Sequence, residues 1–357
     1  MSKLGNLGAR LYRGEVAYDF VGRRKTWYTL SAVILILAIA GLVGRGLNLG
    51  IEFRGGAEFQ VASTSAASVE EARTLVTGLG IENPIITQLG NGTLRVQTRE
   101  LTEFETSDIV EQLATTFGVA EGEVRVQIVG PSWGSDITSK AIQALWVFLL
   151  LVSIFLAITF EWRMAVAALV ALVHDVVITI GIYALTGFEV TPSTVIGVLT
   201  ILGFSLYDTV VVFDKVKENT KSLERQTRFT YSGAANLALN QTLVRSINTS
   251  IVALLPVTAI LIIGAGVLGA GTLRDLSLAL FIGMLAGTYS SIAVATPVLA
   301  QLKEKQPAMI ALARRVGNHK TITVSPVASE AKVATAGVTP PSGKTVPRRH
   351  TPRSKRK

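Results

Sequence analysis

Residues 193–219 read STVIGVLTILGFSLYDTVVVFDKVKEN, a mostly apolar run with Asp208 inside it and a basic stretch directly after it. About 20 apolar residues in a helix cross the hydrocarbon core of a bilayer. A charged carboxylate near the middle of such a helix costs roughly 2.5 to 3.5 kcal/mol on insertion scales, so it faces a protein interior and marks an ion or proton path. Asp208 is therefore a candidate functional residue by default. Farther on, LVRSINTS at 243–250 brings Arg245 to the start of the next apolar run, where a guanidinium can compensate the carboxylate from the neighbouring helix.

Outward from this run the pattern repeats. Apolar runs at 27–44, 141–160, 164–185, 193–213, 247–268 and 276–300 each reach spanning length. With 49% hydrophobic and 17% charged residues, the 357-residue chain carries more apolar surface than a soluble core requires, which predicts an integral membrane protein. The first run has a small-residue Ala38-Ile39-Ala40 step of the kind signal peptidases cut. The long basic segment before it and the apolar residues after it predict an uncleaved anchor instead. The expected division is an N-terminal segment 1–26, a first span 27–47, an extramembrane domain 48–139, five further spans within 140–300, and a basic, disordered tail 301–357.

Charge orients these pieces. Residues 1–26 hold six Lys or Arg, and the connection after the fourth span holds Lys215, Lys217, Lys221, Arg225 and Arg228. The tail holds thirteen, whereas 48–139 is acidic. The positive-inside rule then predicts both termini in the cytoplasm and the domain outside. The net charge of +9 comes mainly from the tail and inner loops, so contact with anionic lipid at the tail is expected and nucleic-acid binding is not. Cysteine is absent, which removes disulfides, thiolate nucleophiles and cysteine metal sites. No nucleophile–base pair or phosphate loop is evident, and His174 has only the tail residues His319 and His350 for company, so no enzyme activity, cofactor or metal is expected.

Period and turn chemistry predict strands at 57–62, 84–88, 93–97 and 123–129, with helices at 69–79, behind the cap Ser68, and 101–117. Gly90-Asn91-Gly92 supplies a hairpin turn. The order βαββαβ predicts a ferredoxin-like α+β domain with one open sheet face. Before it stands GIEFRGG, 50–56, where Gly55 and Gly56 are read as a hinge between membrane and domain.

Within the bundle, Gly197, Ile201, Ser205 and Asp208 share one helix face, and Arg245, Asn248 and Thr249 share a face of the next span. Small and polar side chains are what membrane helix interfaces use. Asp208 with Arg245 is either a static ion pair or a proton switch, because pairing with a guanidinium favours the ionised form of a carboxyl and separation from it in a buried site favours the protonated form. His174-Asp175 is a second candidate, either a buried hydrogen-bonded pair or a relay. Gly283-Met284-Leu285-Ala286-Gly287 reads as a packing seam, and Pro256 as a kink in the fifth span.

One span, an outer α+β domain and five spans, together with GIEFRGG, VHD at 173–175, GFSLYDTVVVFDKVKEN at 203–219, LVRSINTS and GTYSSI at 287–292, resemble the SecF family, the smaller half of the SecDF accessory unit of the bacterial Sec translocase. Glu52 and Phe204 depart from the residues common in that family, keeping charge and aromaticity. The resemblance implies a six-helix bundle that forms half of an RND-like transporter. It also implies use of the proton motive force to assist preprotein translocation, with Asp208 and Arg245 in the proton path. The partners it implies are SecD, the SecYEG channel, YajC or YidC, and unfolded preproteins. The alternative is an RND-type half-transporter exporting lipid or small molecules, for which a larger outer region is expected.

Overall fold

The computed structural model describes residues 17–61, 69–89, 92–226, 228–264 and 271–323. In chain order it contains α1 (Arg24–Arg45), β1 (Asn48–Leu49), α2 (Ile51–Arg54), β2 (Gly56–Val61), α3 (Val69–Gly78), β3 (Ile85–Gln88), β4 (Leu94–Thr98), α4 (Glu103–Phe117) and β5 (Arg125–Val129). The remainder is α5 (Pro131–Thr159), α6 (Trp162–Thr186), β6 (Glu189–Val190), α7 (Pro192–Thr220), α8 (Tyr231–Ala259), α9 (Gly271–Ser290), α10 (Thr296–Glu304) and α11 (Pro307–Thr323). A π-helical turn, Ile260–Gly264, extends α8, and another, Ser291–Ala295, joins α9 to α10. Six helices are long and apolar enough to cross a membrane, the last running from Thr272 to Glu304 through its π turn. The centre of the bundle is α6 and this last helix, while α1, α5 and α8 lie at its periphery.

Local chemistry sets the helix ends. Thr191 and Thr194 form a reciprocal cap with Pro192 at the first position of α7, where its missing N–H costs nothing. Gly187, at φ 76°, ends α6 in the left-handed conformation that side chains avoid. Pro256 sits inside α8, four residues before the π turn, so the ladder irregularity expected of the fifth span is present. Gly283 and Gly287 pack on Ile201 and Ser205 of α7, which makes their seam internal to the bundle.

The α+β domain has the expected element order, and its four strands lie β3-β4-β2-β5, each pair antiparallel. Phe59 faces Val96 on one side and Val126 on the other. With Val61, Val76, Leu94, Ile109 and Leu113 it forms a dry core under α3 and α4. Each such large side chain contributes roughly 1.5 to 3 kcal/mol by leaving water. Thr102 and Glu105 cap α4 reciprocally.

Four expectations are corrected. The second sheet face is open only at its edges: Glu58, Arg95 and Gln97 in its middle are buried, whereas Ile85 and Thr87 of β3 and Arg125 and Gln127 of β5 are exposed. The boundary at 139 falls inside α5, which runs unbroken from Pro131 and so carries the domain directly on a spanning helix. The tail begins as helix, α10 reaching Glu304 and α11 reaching Thr323, because 301–323 keeps an apolar stripe that seats Leu312 and Val316 in the core. Gly56 is no free joint: it lies in β2 paired with Val129, and a Cβ there would overlap the Thr98 carbonyl oxygen of β4. Gly55, at φ 78°, ends the short helix α2. The hairpin residues Gly90 and Asn91, the cap Ser68, segment 1–16 and the basic tail 324–357 lie outside the described residues.

Candidate proton-coupling site in the bundle core

Two carboxylates are buried side by side in the bundle, Asp175 on α6 and Asp208 on α7, 1% and 3% exposed. Each is held by hydroxyls. Asp175 Oδ2 accepts from Ser205 Oγ at 2.5 Å and from Ser290 Oγ at 2.8 Å, and its Oδ1 lies 3.3 Å from His174 Nδ1. Asp208 Oδ1 accepts from Ser246 Oγ at 2.5 Å, and its Oδ2 accepts from Ser291 Oγ. Among the described residues no Lys or Arg is paired with either carboxylate. Serine hydroxyls can donate to an ionised carboxylate and accept from a protonated one, so both protonation states are satisfied without rebuilding the site.

His174 continues the chain of polar groups toward the periphery. Its ring stacks on Tyr289 at 5.9 Å, and the Tyr289 hydroxyl lies 2.9 Å from Ser31 Oγ on α1. His174 Nε2 is buried and has no hydrogen-bond partner among the described residues.

The face of α7 is as expected, with Gly197, Ile201, Ser205 and Asp208 all buried. The face of α8 is not. Thr242, Ser246 and Ser250 point inward, while Arg245 and Asn248 are exposed and Thr249 is half-buried. Arg245 does not meet Asp208; its Nη2 donates to the Tyr207 hydroxyl at 3.4 Å, on the outside of the bundle. The charge of Arg245 drew attention to the wrong face. The signal for the right one was Ser246-xxx-Ser250, small residues at helix-packing spacing. Ser290 and Ser291 lie within GTYSSI, where nothing in the sequence marks their role; their placement depends on the π turn that begins at Ser291.

A second polar cluster joins the outer domain to the bundle. Arg95 of β4 pairs with Glu189 of β6 and lies 3.7 Å from Glu58 of β2, and Gln97 donates to Glu58 at 2.9 Å and to Glu189 at 2.6 Å. Beside it Asn48 and Glu189 are register partners in the parallel β1–β6 pair. Burial, together with the carboxylates of Glu189 and Glu58, raises the Glu52 carboxyl above the ordinary range, against backbone hydrogen bonding and the charge of Arg95.

Six helices of spanning length around two buried carboxylates, with an α+β domain at one end of the bundle, have the architecture of a membrane transport subunit. The family description "Protein export membrane protein SecD/SecF, C-terminal" matches residues 109–305, and the SecD/SecF GG motif matches 40–67. The chain is 56% identical over 316 residues to protein translocase subunit SecF of Streptomyces coelicolor, covering 88% of this chain and 85% of that one. It is 43% identical over 341 residues to SecF of Mycobacterium tuberculosis, covering 92% and 77%. It superposes on the crystal structure of SecDF, a translocon-associated membrane protein from Thermus thermophilus, with a TM-score of 0.73 and 30% identity, over 81% of this chain and 39% of the SecDF chain. The chain belongs to the SecF family of protein translocase subunits.

Proposed function

We propose that this subunit couples proton movement to preprotein export, with Asp208 and Asp175 as the groups that take up and release the proton and a SecD chain as the other half of the transporter. The observation that carries the reading is the pair of buried carboxylates, each held by serine hydroxyls that serve either protonation state and neither paired with a Lys or Arg among the described residues. One elementary charge crossing a 100 mV potential yields about 2.3 kcal/mol, enough to shift a two-state element roughly fifty-fold.

SecD packs, in this reading, on the face formed by α7 and α8. Tyr207 is 51% exposed there, and Arg245 lies about 21 Å along α8 from its start, near mid-span. A guanidinium at that depth is costly against lipid and needs a polar partner that Tyr207 alone does not supply. Arg245 then works across the subunit boundary, and the outward-facing Asn248 with it. The termini lie in the cytoplasm and the α+β domain outside, where it meets emerging unfolded chain near the SecYEG channel, with YajC or YidC as further neighbours. Transport without enzyme chemistry fits these groups, and the alternative substrate class of lipid or small molecules is left to the same test.

The native chain lacks cysteine, so Asn248→Cys gives a single reactive position. Thiol crosslinking in native membranes is expected to recover SecD from Asn248→Cys and not from the same substitution at Val147 on the far helix α5. Equal recovery from both, or from neither, overturns the assignment of this face.

A further inference from the structure

At the bundle end opposite the α+β domain, a polar cavity of about 890 Å³ opens between the end of α7, the connection to α8, the end of α10 and the start of α11. Lys221, Arg225 and Lys303 line it with Ser222 and Tyr231. Two carboxylates border it, and both are already engaged: Glu161 with Lys303, and Glu218 with Lys215 at 2.9 Å. Lys221 and Arg225 have no ion-pair partner among the described residues. Over the lining as a whole the basic groups outnumber the acidic ones.

Tyr231 turns this basic recess into a built site. It is 4% exposed, yet its hydroxyl has no hydrogen-bond partner among the described residues. Its ring lies 5.8 Å from Lys303 Nζ, which keeps a cation at the cavity wall. A buried hydroxyl left unpaired costs about 1 to 3 kcal/mol, so an acceptor brought into the cavity recovers that loss. Tyr231 is also the first residue of the 29-residue helix α8, and Met309 on the cavity wall lies in the first turn of α11. The positive end of the α8 dipole favours an anion there, although Thr230 already accepts from the Gly233 N–H.

Position says which anion. The helices lining the cavity end at Thr220, begin at Tyr231 and end at Glu304, which are the ends of the candidate spans, so a bilayer centred on those spans brings its headgroups to the cavity. Basic pockets between spanning helices at that level bind phospholipid headgroups, and a tyrosine suits the same layer. We infer that this cavity is a headgroup site for an anionic phospholipid, its phosphate oxygens accepting from the Tyr231 hydroxyl and from Lys221 and Arg225. The site is built from folded residues and is separate from the basic tail.

The test compares three full-length chains in detergent by native mass spectrometry: wild type, the double variant Lys221→Gln with Arg225→Gln, and Tyr231→Phe. Phosphatidylglycerol and phosphatidylcholine are titrated against each. The tail is intact in every chain, so differences isolate the cavity. Wild type is expected to retain one phosphatidylglycerol in preference to phosphatidylcholine. The double variant is expected to hold it about tenfold more weakly, and Tyr231→Phe about fivefold more weakly with an unfolding midpoint that is not lowered, since the unpaired hydroxyl is gone. Should the double variant fail to fold, Tyr231→Phe decides alone. Equal retention by wild type and Tyr231→Phe, or equal retention of the two lipids, overturns the proposal. Displacement of the lipid by millimolar pyrophosphate overturns the lipid assignment and gives the cavity to a soluble phosphate compound.

Discussion

Ser290 and Ser291 are adjacent in the chain, yet they hydrogen-bond two different buried carboxylates, Asp175 of α6 and Asp208 of α7. Successive residues of a helix point about 100° apart, so one turn of the last spanning helix can serve two neighbours at once. The π turn begins at Ser291, where the wider ring opens the helix beside both carboxylates. Asp175 also accepts from Ser205, three residues before Asp208 on α7. With Ser246 of α8 on Asp208, four helices are tied through two carboxylates.

Asp208→Asn keeps an oxygen that accepts from Ser246 or Ser291 but removes the titrating group. In inverted vesicles containing the SecD partner, the proton-dependent part of preprotein translocation is expected to disappear, while the ATP-driven part persists and the subunits still copurify. Full proton-dependent stimulation by Asp208→Asn would remove this carboxylate from the mechanism.

Among the described residues Arg245 has one hydrogen bond, to the exposed Tyr207. Arg245→Met is expected to leave the thermal stability of the isolated subunit within about 0.5 kcal/mol, as for other surface substitutions. Recovery of SecD and proton-dependent translocation should both fall. A lowered unfolding midpoint with undiminished SecD recovery contradicts its placement at the subunit boundary.

The sequence made the spans legible because each is a long apolar run, and it made the outer domain legible because period and turn residues alternate cleanly there. It made Asp208 and Asp175 legible because a charge in an apolar run has few innocent explanations. The serines were harder. Ser246, Ser290 and Ser291 are ordinary residues in membrane helices, and only the rotation of α8 and the π turn bring their hydroxyls to the carboxylates. The docking of the sheet on the bundle was equally hidden, since Glu58, Arg95 and Gln97 alternate along strands like any solvated face. Helicity to Thr323 was masked by the basic composition of the residues that follow.

α1 and α6 touch backbone to backbone where Gly181 faces Ala38, and a Cβ at Gly181 would overlap the alanine. Gly181→Ala is expected to destabilise the protein by about 1 to 3 kcal/mol through overpacking. Gly203→Ala, where nothing lies within 4 Å, should be neutral or stabilising by up to about 1 kcal/mol. Thermal unfolding of the two variants in one detergent checks the ordering.

Glu52 gives the outer contact a pH dependence. Its carboxyl is raised by burial and by Glu189 and Glu58, so the folded form holds its proton over a range in which the unfolded chain has lost it. The contribution of Glu52 is complete below the ordinary carboxylate range and is lost as pH rises through the raised value. Hydrogen exchange in β1 and β6 should therefore slow, after correction for intrinsic rates, on moving from pH 8 to pH 5. Glu52→Gln should show the slow exchange at both values. An unchanged pH dependence in that variant would assign the effect to the other groups around Arg95.

The pairing of Asn48 with Glu189 and of Arg95 with Glu189 fastens the domain to the segment directly after α6. Asp175 stands on that same helix, eleven residues before its end at Thr186, about 16 Å away. A tilt of α6 pivoting at Asp175 displaces that end by about 1.4 Å for every 5° or so. The helix thus has the geometry of a lever arm, with Asp175 at the fulcrum and the loaded end gripping the sheet, so a tilt of α6 would reach the domain through Glu189.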